Sequence, residues 1–221
     1  MAAEHPRITD DGVSFGKSYA VLNLDLMAIL IDAVKDTAKG QAFISSCTRW
    51  NDAVHKIHPR PPVIFTTLSF SPGEPELAED APFGKIIRNF GSFIAGSSAV
   101  QIASNFEVDS KDIVLQKTRC YGGTGNSLEQ ILKARNIDTV IISGLSLSGV
   151  VMSTIYRLFD LDYNIYVISD NVLELPLDQH QEYSRVMLGS LLPKMNLRVI
   201  SVDSALRAVE RSLVDCGPVI N

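Results

Sequence analysis

The chain has 221 residues, of which 46% are hydrophobic and 20% charged, and its formal net charge is −5. These proportions are those of a folded globular protein and exclude a disordered chain, a collagen-like repeat and a coiled coil. The acidic balance, without a dense stripe of Lys and Arg, argues against binding to nucleic acid or to an anionic membrane surface.

Membrane spans and secretion signals are not expected either. No apolar run approaches the roughly 18 residues of a transmembrane helix, and the opening segment MAAEHPRITDDG lacks the apolar core of a secretory signal. The three cysteines, Cys47, Cys120 and Cys216, are odd in number and far apart. That usage is typical of a reducing compartment and unlike a zinc-binding pattern, so we expect a cytoplasmic protein.

Six short apolar runs, rich in Val and Ile, predict six β-strands. The runs lack strict alternation of apolar and polar residues, which is typical of strands buried on both faces of a parallel sheet. In chain order, the predicted strands are 19–24, 62–67, 113–116, 139–143, 164–169 and 197–202.

Helix-like stretches lie between most of these strands. In SLEQILKAR, for example, Leu128, Ile131 and Leu132 have helical spacing. The alternation of strands and helices predicts an α/β fold with right-handed crossovers and helices on both faces of the sheet. The predicted helices are 39–57, 127–135, 149–161, 177–192 and 205–213.

One segment, residues 69–94, does not fit the alternation. It begins with many Gly, Pro and acidic residues and is too long for an ordinary connection. Long loops of this kind commonly form lids or binding loops, so we expect a wall of a substrate site here. The expected organisation is a flexible N-terminal segment (1–17), a single domain (18–213) and a C-terminal tail (214–221).

Chemically useful residues follow the predicted strands. Asp25 follows the first strand, residues 66–71 the second, Lys117 the third, and the segment GLSLSG, 144–149, the fourth. In open parallel sheets, ligands bind beyond the carboxyl ends of the strands. A carboxylate, an ammonium group and the start of a helix can therefore meet at one edge of the sheet.

Such a group has a catalytic use. The lysine lowers the pKa of the neighbouring carboxyl and burial raises it, so Asp25 is a candidate general acid or base. The N–H groups of Gly149 and Val150, at the start of the helix, could bind an anion or a developing oxyanion. A structural interpretation stays open: Asp25 as a turn residue and Lys117 as its ion-pair partner.

The ordered set of segments resembles the isochorismatase-like hydrolases, a superfamily that includes nicotinamidases, N-carbamoylsarcosine amidases and isochorismatases. The segments are AVLNLDL around Asp25, IVLQKTR around Lys117, residues 127–171 and residues 179–192. The likeness spans about residues 18 to 203. It implies a three-layer α/β/α sandwich with a six-stranded, mainly parallel sheet of order 3-2-1-4-5-6, in a homodimer or homotetramer.

The resemblance also identifies a departure. The chain is similar to a subgroup with the motif G-x-S-T-S-G-V-V-x-S-T, here GLSLSGVVMST. In the amidases of the family, a cysteine nucleophile occupies the position of Val150, and valine cannot attack a carbonyl carbon. The true isochorismatases lack that cysteine too, and their aspartate is thought to protonate a vinyl ether. Cys120 or Ser148 as a displaced nucleophile stays open, although Ser148 fits better as a helix N-cap.

Several residues are expected to line the substrate site. Where relatives carry a polar group after the aspartate, this chain has Leu26 and Met27, and Ser71 replaces the subgroup's Arg. A pocket that loses these groups and gains Met27 and Leu147 is expected to prefer an apolar substrate. The glycines of Tyr121–Leu128 suggest a widened pocket or a mobile loop. The expected substrate-binding residues are Met27, Phe70, Ser71, Arg119, Tyr121, Leu147 and Ser148.

The leading hypothesis is therefore hydrolysis of a small, rather apolar molecule by Asp25 and Lys117. No cofactor is expected. No metal is expected either, because the residues after the first two strands offer no histidine. Two alternatives remain: a biosynthetic enzyme that performs an isomerisation, cyclisation or elimination, and a catalytically inactive binding or scaffold protein.

Overall fold

Six parallel strands form the centre of the structure, a computed structural model that describes residues 12–215, the side chains of 213–215 excepted. The sheet order is β3-β2-β1-β4-β5-β6, and every pair of neighbours is parallel. This confirms the predicted fold class and strand order. The strands are β1 Tyr19–Leu24, β2 Val63–Leu68, β3 Ile113–Lys117, β4 Thr139–Leu145, β5 Asn164–Leu173 and β6 Arg198–Ile200.

Burial explains the unbroken apolar runs. Every residue of β1, β2 and β4 is buried, because helices cover both faces of these strands. The edge strand β3 differs, since its side chains alternate and Val114 faces solvent. Strand β5 is longer than the predicted 164–169, and β6 is shorter than the predicted 197–202.

Eight α-helices surround the sheet in the described residues. Two π-helical turns, Leu147–Val151 and Met187–Leu191, precede α5 and α7. The predicted helix 177–192 is thus a series of shorter pieces, and α1 and α3 were not predicted. The helices are α1 Ala28–Asp32, α2 Ala38–His55, α3 Pro82–Arg88, α4 Leu128–Ala134, α5 Met152–Phe159, α6 His180–Val186, α7 Leu192–Lys194 and α8 Val202–Asp215.

Two hydrophobic clusters pack on opposite faces of the sheet. Successive side chains of β1 point to opposite faces, so Val21 joins one cluster and Leu22 the other. Helices α1, α2 and α8 cover the first cluster, and α4, α5 and α7 cover the second. The result is the three-layer sandwich that the sequence predicts. No helix in the described part of the chain is long and apolar enough to cross a membrane.

The predicted terminal segments are described only in part. Most of 1–17 and of 214–221 lies outside the described residues, and Cys216 does too. The described end of the N-terminal segment packs in the first cluster, where Phe15 contacts the rings of Tyr19, Trp50 and Tyr166. The domain boundaries stay a prediction.

Candidate active site

Asp25 lies directly beyond the carboxyl end of the central strand β1. Its φ of 57° turns the chain out of the sheet, a conformation that Asp tolerates better than most residues. The backbone N–H donates to the Thr66 carbonyl of the neighbouring strand β2 at 3.1 Å. The Thr66 hydroxyl donates to Asp25 Oδ1 at 2.8 Å. These bonds hold the carboxyl group in one orientation, and the residue is only 5% exposed.

Lys117 reaches this carboxyl group from the end of β3. Its Nζ lies 2.7 Å from Asp25 Oδ2 and donates to the Arg119 carbonyl at 2.9 Å. Strand β2 lies between β1 and β3, so the long lysine side chain spans one strand to meet Asp25. Lys117 is 2% exposed, so the pair is shielded from water.

Burial and pairing act on the Asp25 carboxyl in opposite directions. Burial raises the pKa of Asp25, while Lys117 and the Thr66 hydroxyl lower it, and burial has the larger effect. The pKa of Asp25 therefore lies above its usual value. A carboxyl group with these properties can hold a proton, release it to a bound molecule and take it back.

A cavity of about 310 Å³ opens beside this pair. A few polar residues line it, and most of its wall is aliphatic or aromatic. Helix α3 and the residues just after it form one side, so part of the predicted wall 69–94 is helical. The apolar lining residues are Met27, Leu30, Leu68, Phe83, Ile86, Ile87, Phe90, Phe93, Leu145, Val150 and Leu175.

The start of the helix after β4 forms another part of the wall. Ser146, Ser148, Gly149 and Val150 line the cavity there, as do Asp25 and Lys117. The first turn of a helix leaves its N–H groups without intrahelical acceptors, and those of Gly149 and Val150 belong to that turn. The Leu145–Ser146 peptide bond before it is cis.

The close packing of this turn depends on a glycine in β4. A Cβ atom at Gly144 would lie 2.7 Å from the Leu24 carbonyl oxygen and 3.0 Å from Cγ2 of Val151. Only a residue without a side chain lets β1 and the turn approach so closely. Gly144 therefore helps to place the turn that carries Val150 at the wall of the cavity.

The structure brings six of the residues predicted for the site to this cavity: Asp25, Lys117, Met27, Ser148, Gly149 and Val150. Two other predicted binding residues are buried elsewhere. Phe70 packs edge-on against Phe93 within the core. Leu147 is fully buried in the second cluster because the π-helical turn directs it away from the cavity.

Three further predicted binding residues lie outside the cavity wall because they have other partners. The Ser71 hydroxyl donates to Glu76 Oε1 at 2.6 Å. Arg119 lies over the ring of Phe83 and donates to the Glu76 carbonyl. The Tyr121 hydroxyl donates to Glu129 on α4. Of these, Arg119 supports the cavity indirectly, since it holds the start of α3.

Two features of the site were missed in the sequence. One is α3, for which Pro82 at the first position and the spacing of Phe83, Ile86, Ile87 and Phe90 were usable signals. The other is Glu174, a buried carboxylate directly after β5. The rule that ligands bind beyond strand ends would have singled it out if the end of β5 had been predicted correctly.

The two candidate displaced nucleophiles are not activated. Burial raises the pKa of the Cys120 thiol more than Lys117 lowers it, which favours the unreactive thiol. Ser148 has no histidine bonded to it in the described residues. The neighbouring His180 instead bonds the Glu174 N–H and the Ser184 hydroxyl. Ser146, not Ser148, is the residue before the turn, and neither side chain caps it.

One group of side chains in residues 12–215 has the composition of a metal site: His55, Asp109 and Asp112. None of them lines the cavity. The Arg60 guanidinium pairs with both carboxylates, so a cationic side chain already occupies the place between them. The arrangement is that of an ion-pair network.

Solved structures share this architecture. An isochorismatase family protein from Burkholderia thailandensis is 21% identical, with a TM-score of 0.72, over 90% of this chain and 98% of its own. A cysteine hydrolase from Pseudomonas syringae pv. phaseolicola 1448A is 15% identical, with a TM-score of 0.76, over 88% and 93%. N-carbamoylsarcosine amidase from Thermoplasma acidophilum is 21% identical, with a TM-score of 0.66, over 84% and 97%.

These likenesses are similarities of fold, because all three identities are low. No curated protein matches the sequence. The isochorismatase domain family model matches residues 19–203, which is most of the chain and includes every strand. The chain therefore belongs to the isochorismatase family.

Proposed function

We propose that the protein is an enzyme that hydrolyses a small, rather apolar molecule by acid–base chemistry of Asp25 and Lys117, without a cysteine nucleophile. One observation carries the proposal: a buried, paired carboxyl group opens onto an apolar cavity. Val150 also lines this cavity, and the resemblance assigns its position to the nucleophile of the family's amidases. The family membership and the amidase of similar fold agree with hydrolysis.

The proton transfer follows from the surroundings of Asp25. The protonated carboxyl gives its proton to the atom of the substrate whose bond breaks, and a water molecule adds its oxygen to the other side of that bond. A proton from this water returns to Asp25. Lys117 stabilises the carboxylate that exists between the two transfers, and Thr66 holds it in place. The Gly149 and Val150 N–H groups can stabilise negative charge on the substrate.

A second reaction type is favoured by the apolar wall. A cavity lined mostly by aliphatic and aromatic side chains holds little water, which suits an isomerisation, cyclisation or elimination. Asp25 would then move a proton within the substrate, and no water oxygen would enter the product.

The test is turnover in ¹⁸O-labelled water, followed by mass spectrometry. Wild type is incubated with amides, esters and vinyl ethers, isochorismate included. Label in the product supports hydrolysis and shows which bond breaks. Turnover without label supports the second reaction type. If wild type converts none of the compounds, the hydrolase proposal fails and a binding or scaffold role is favoured.

A matched variant controls for loss of charge. Asp32 also pairs with a lysine, Lys35, at 2.7 Å, but both side chains are about half exposed. Asp32→Asn removes a carboxylate outside the cavity and should turn over every compound that wild type does.

A further inference from the structure

Glu174 is a buried carboxylate that the proposed reaction does not use. It follows β5 directly, is 2% exposed, and lines the same cavity as Asp25 and Lys117. A buried carboxylate is costly unless hydrogen bonds and an opposite charge compensate for the lost water. Its partners therefore show what it is suited to bind.

Within residues 12–215, only backbone groups form hydrogen bonds with this carboxylate. Oε2 accepts the Ser148 N–H at 2.6 Å, and Oε1 accepts the Leu175 N–H at 3.0 Å. An ionised carboxylate has about four acceptor positions, so each oxygen can accept a further hydrogen bond. Glu174 thus has acceptor capacity left at the wall of the cavity.

No cationic side chain in the described part of the chain forms an ion pair with Glu174. The neighbouring imidazole does not supply a charge, because His180 Nδ1 accepts the Glu174 backbone N–H and so carries no proton. Burial lowers the pKa of His180, which also favours the neutral ring. Lys117, the lysine of the cavity, is already paired with Asp25.

The cavity therefore contains one carboxylate without a cationic partner. Lys117 faces Asp25, and in either protonation state of Asp25 the Glu174 carboxylate lowers the net charge of the cavity by one. Glu174 also occupies the Ser148 N–H at the start of the helix, where a substrate anion could otherwise bind. Both effects disfavour an anionic ligand and favour a cationic one.

We propose that Glu174 selects a substrate that carries a protonated amine on an apolar body, and that it rejects carboxylates. The apolar wall contacts the body of the molecule, and the amine donates to Glu174. The inference rests on the proposed function, because it names the class of substrate for the same site.

Binding of three probes with one apolar body tests the inference. The probes are 3-phenylpropylamine, 3-phenylpropan-1-ol and 3-phenylpropanoate, and their dissociation constants are measured at neutral pH by ligand-observed NMR titration. A hydrogen-bonded buried charge pair predicts that wild type binds the amine at least about tenfold more tightly than the propanoate. Glu174→Gln keeps the shape and removes the charge, so the ratio should fall to within about twofold.

The control is Glu182→Gln, which removes one negative charge from an exposed position on the neighbouring α6 and should keep the wild-type ratio. Equal or tighter binding of the propanoate by wild type overturns the inference, and so does an unchanged ratio in Glu174→Gln. If Glu174→Gln does not fold, the order in which wild type binds the three probes still decides whether the inference holds. A cavity without this charge preference should bind the uncharged alcohol most tightly.

The two proposals can fail separately. An amine preference without turnover of any compound leaves the role of Glu174 standing and contradicts the hydrolase. Turnover of a carboxylate, with no preference for amines, contradicts the role of Glu174 and leaves the hydrolase standing.

Discussion

At the scale of single residues, the protonation of Asp25 links activity to stability. Burial raises the pKa of folded Asp25, so the folded chain holds this proton to a higher pH than the unfolded chain does. Between the usual pKa of Asp and the raised one, the folded state binds more protons. The free energy of unfolding that Asp25 contributes therefore falls as pH rises through that window, by up to about 1.4 kcal/mol per pH unit.

Urea unfolding of wild type and Asp25→Asn across acidic to neutral pH measures this effect. The variant does not titrate at this position, so the stability of wild type minus that of the variant should decrease with rising pH and then become constant. A difference that increases with pH would mean that Lys117, rather than burial, controls the pKa of Asp25.

The described cysteines allow a second prediction at this scale. Burial raises the pKa of Cys120, and raises that of the fully buried Cys47 well above its usual value. Because the thiolate is the reacting form, both should react with iodoacetamide more slowly than glutathione does, and Cys47 more slowly than Cys120. Peptide mass spectrometry separates the sites. Faster labelling of Cys120 than of glutathione would restore it as a candidate nucleophile.

At the scale of elements, the contact of β4 with β1 depends on Gly144. The structure has no room for a side chain at this position. A Cβ atom on residue 144 would lie 2.7 Å from the Leu24 carbonyl oxygen and 2.8 Å from the Leu24 Cβ atom. Gly144→Ala should therefore destabilise the chain by about 1–3 kcal/mol. Gly189, in the π-helical turn before α7, has open space around its Cβ position. There the same change should stabilise by about 0.5–1 kcal/mol. Urea unfolding of both variants tests the contrast, and equal effects would contradict it.

Helix α3 is predicted to contribute to binding more than to stability. Ile86 lines the cavity and is 57% exposed, so Ile86→Ser should change stability by no more than about 0.5 kcal/mol. It should raise KM for an apolar substrate about fivefold, the equivalent of about 1 kcal/mol of lost apolar contact. Val114→Ser is the control, since Val114 is 47% exposed on β3 and outside the cavity. If both variants raise KM alike, α3 is not a binding wall.

At the scale of the whole molecule, the sheet was predictable because strands buried on both faces require unbroken apolar runs. The end of β5 was not predictable in this way, since the strand extends to Leu173 rather than to residue 169. The polar residues Ser169, Asp170 and Asn171 interrupt its run, and the strand continues because the Asn171 amide bonds Ser143 and Ser46 inside the fold. A sequence shows the polar residue and not the buried partner that satisfies it.

The candidate site was predictable to a similar extent. Strand ends located Asp25 and Lys117, because their positions follow from the sheet alone. The cavity wall depends on how loops pack, so Phe70, Arg119 and Tyr121 were expected there and instead have other partners. Glu174 was missed together with the end of β5.

Self-association stays a prediction of the resemblance. Tyr156, Phe159, Leu161 and Val186, on or next to α5 and α6, expose apolar surface in the described monomer. Sedimentation equilibrium should give two or four times the 24.2 kDa of one chain. A single species at the monomer mass would contradict the predicted homodimer or homotetramer.

In the proposed reaction, Asp25 transfers the proton. This role is tested most directly by kcat/KM of Asp25→Asn, relative to wild type and Asp32→Asn, for a compound that wild type converts. General acid–base catalysis predicts a loss of about 100-fold or more in Asp25→Asn alone. An Asp25→Asn enzyme that retains activity within about twofold of wild type would contradict the role of the Asp25–Lys117 pair.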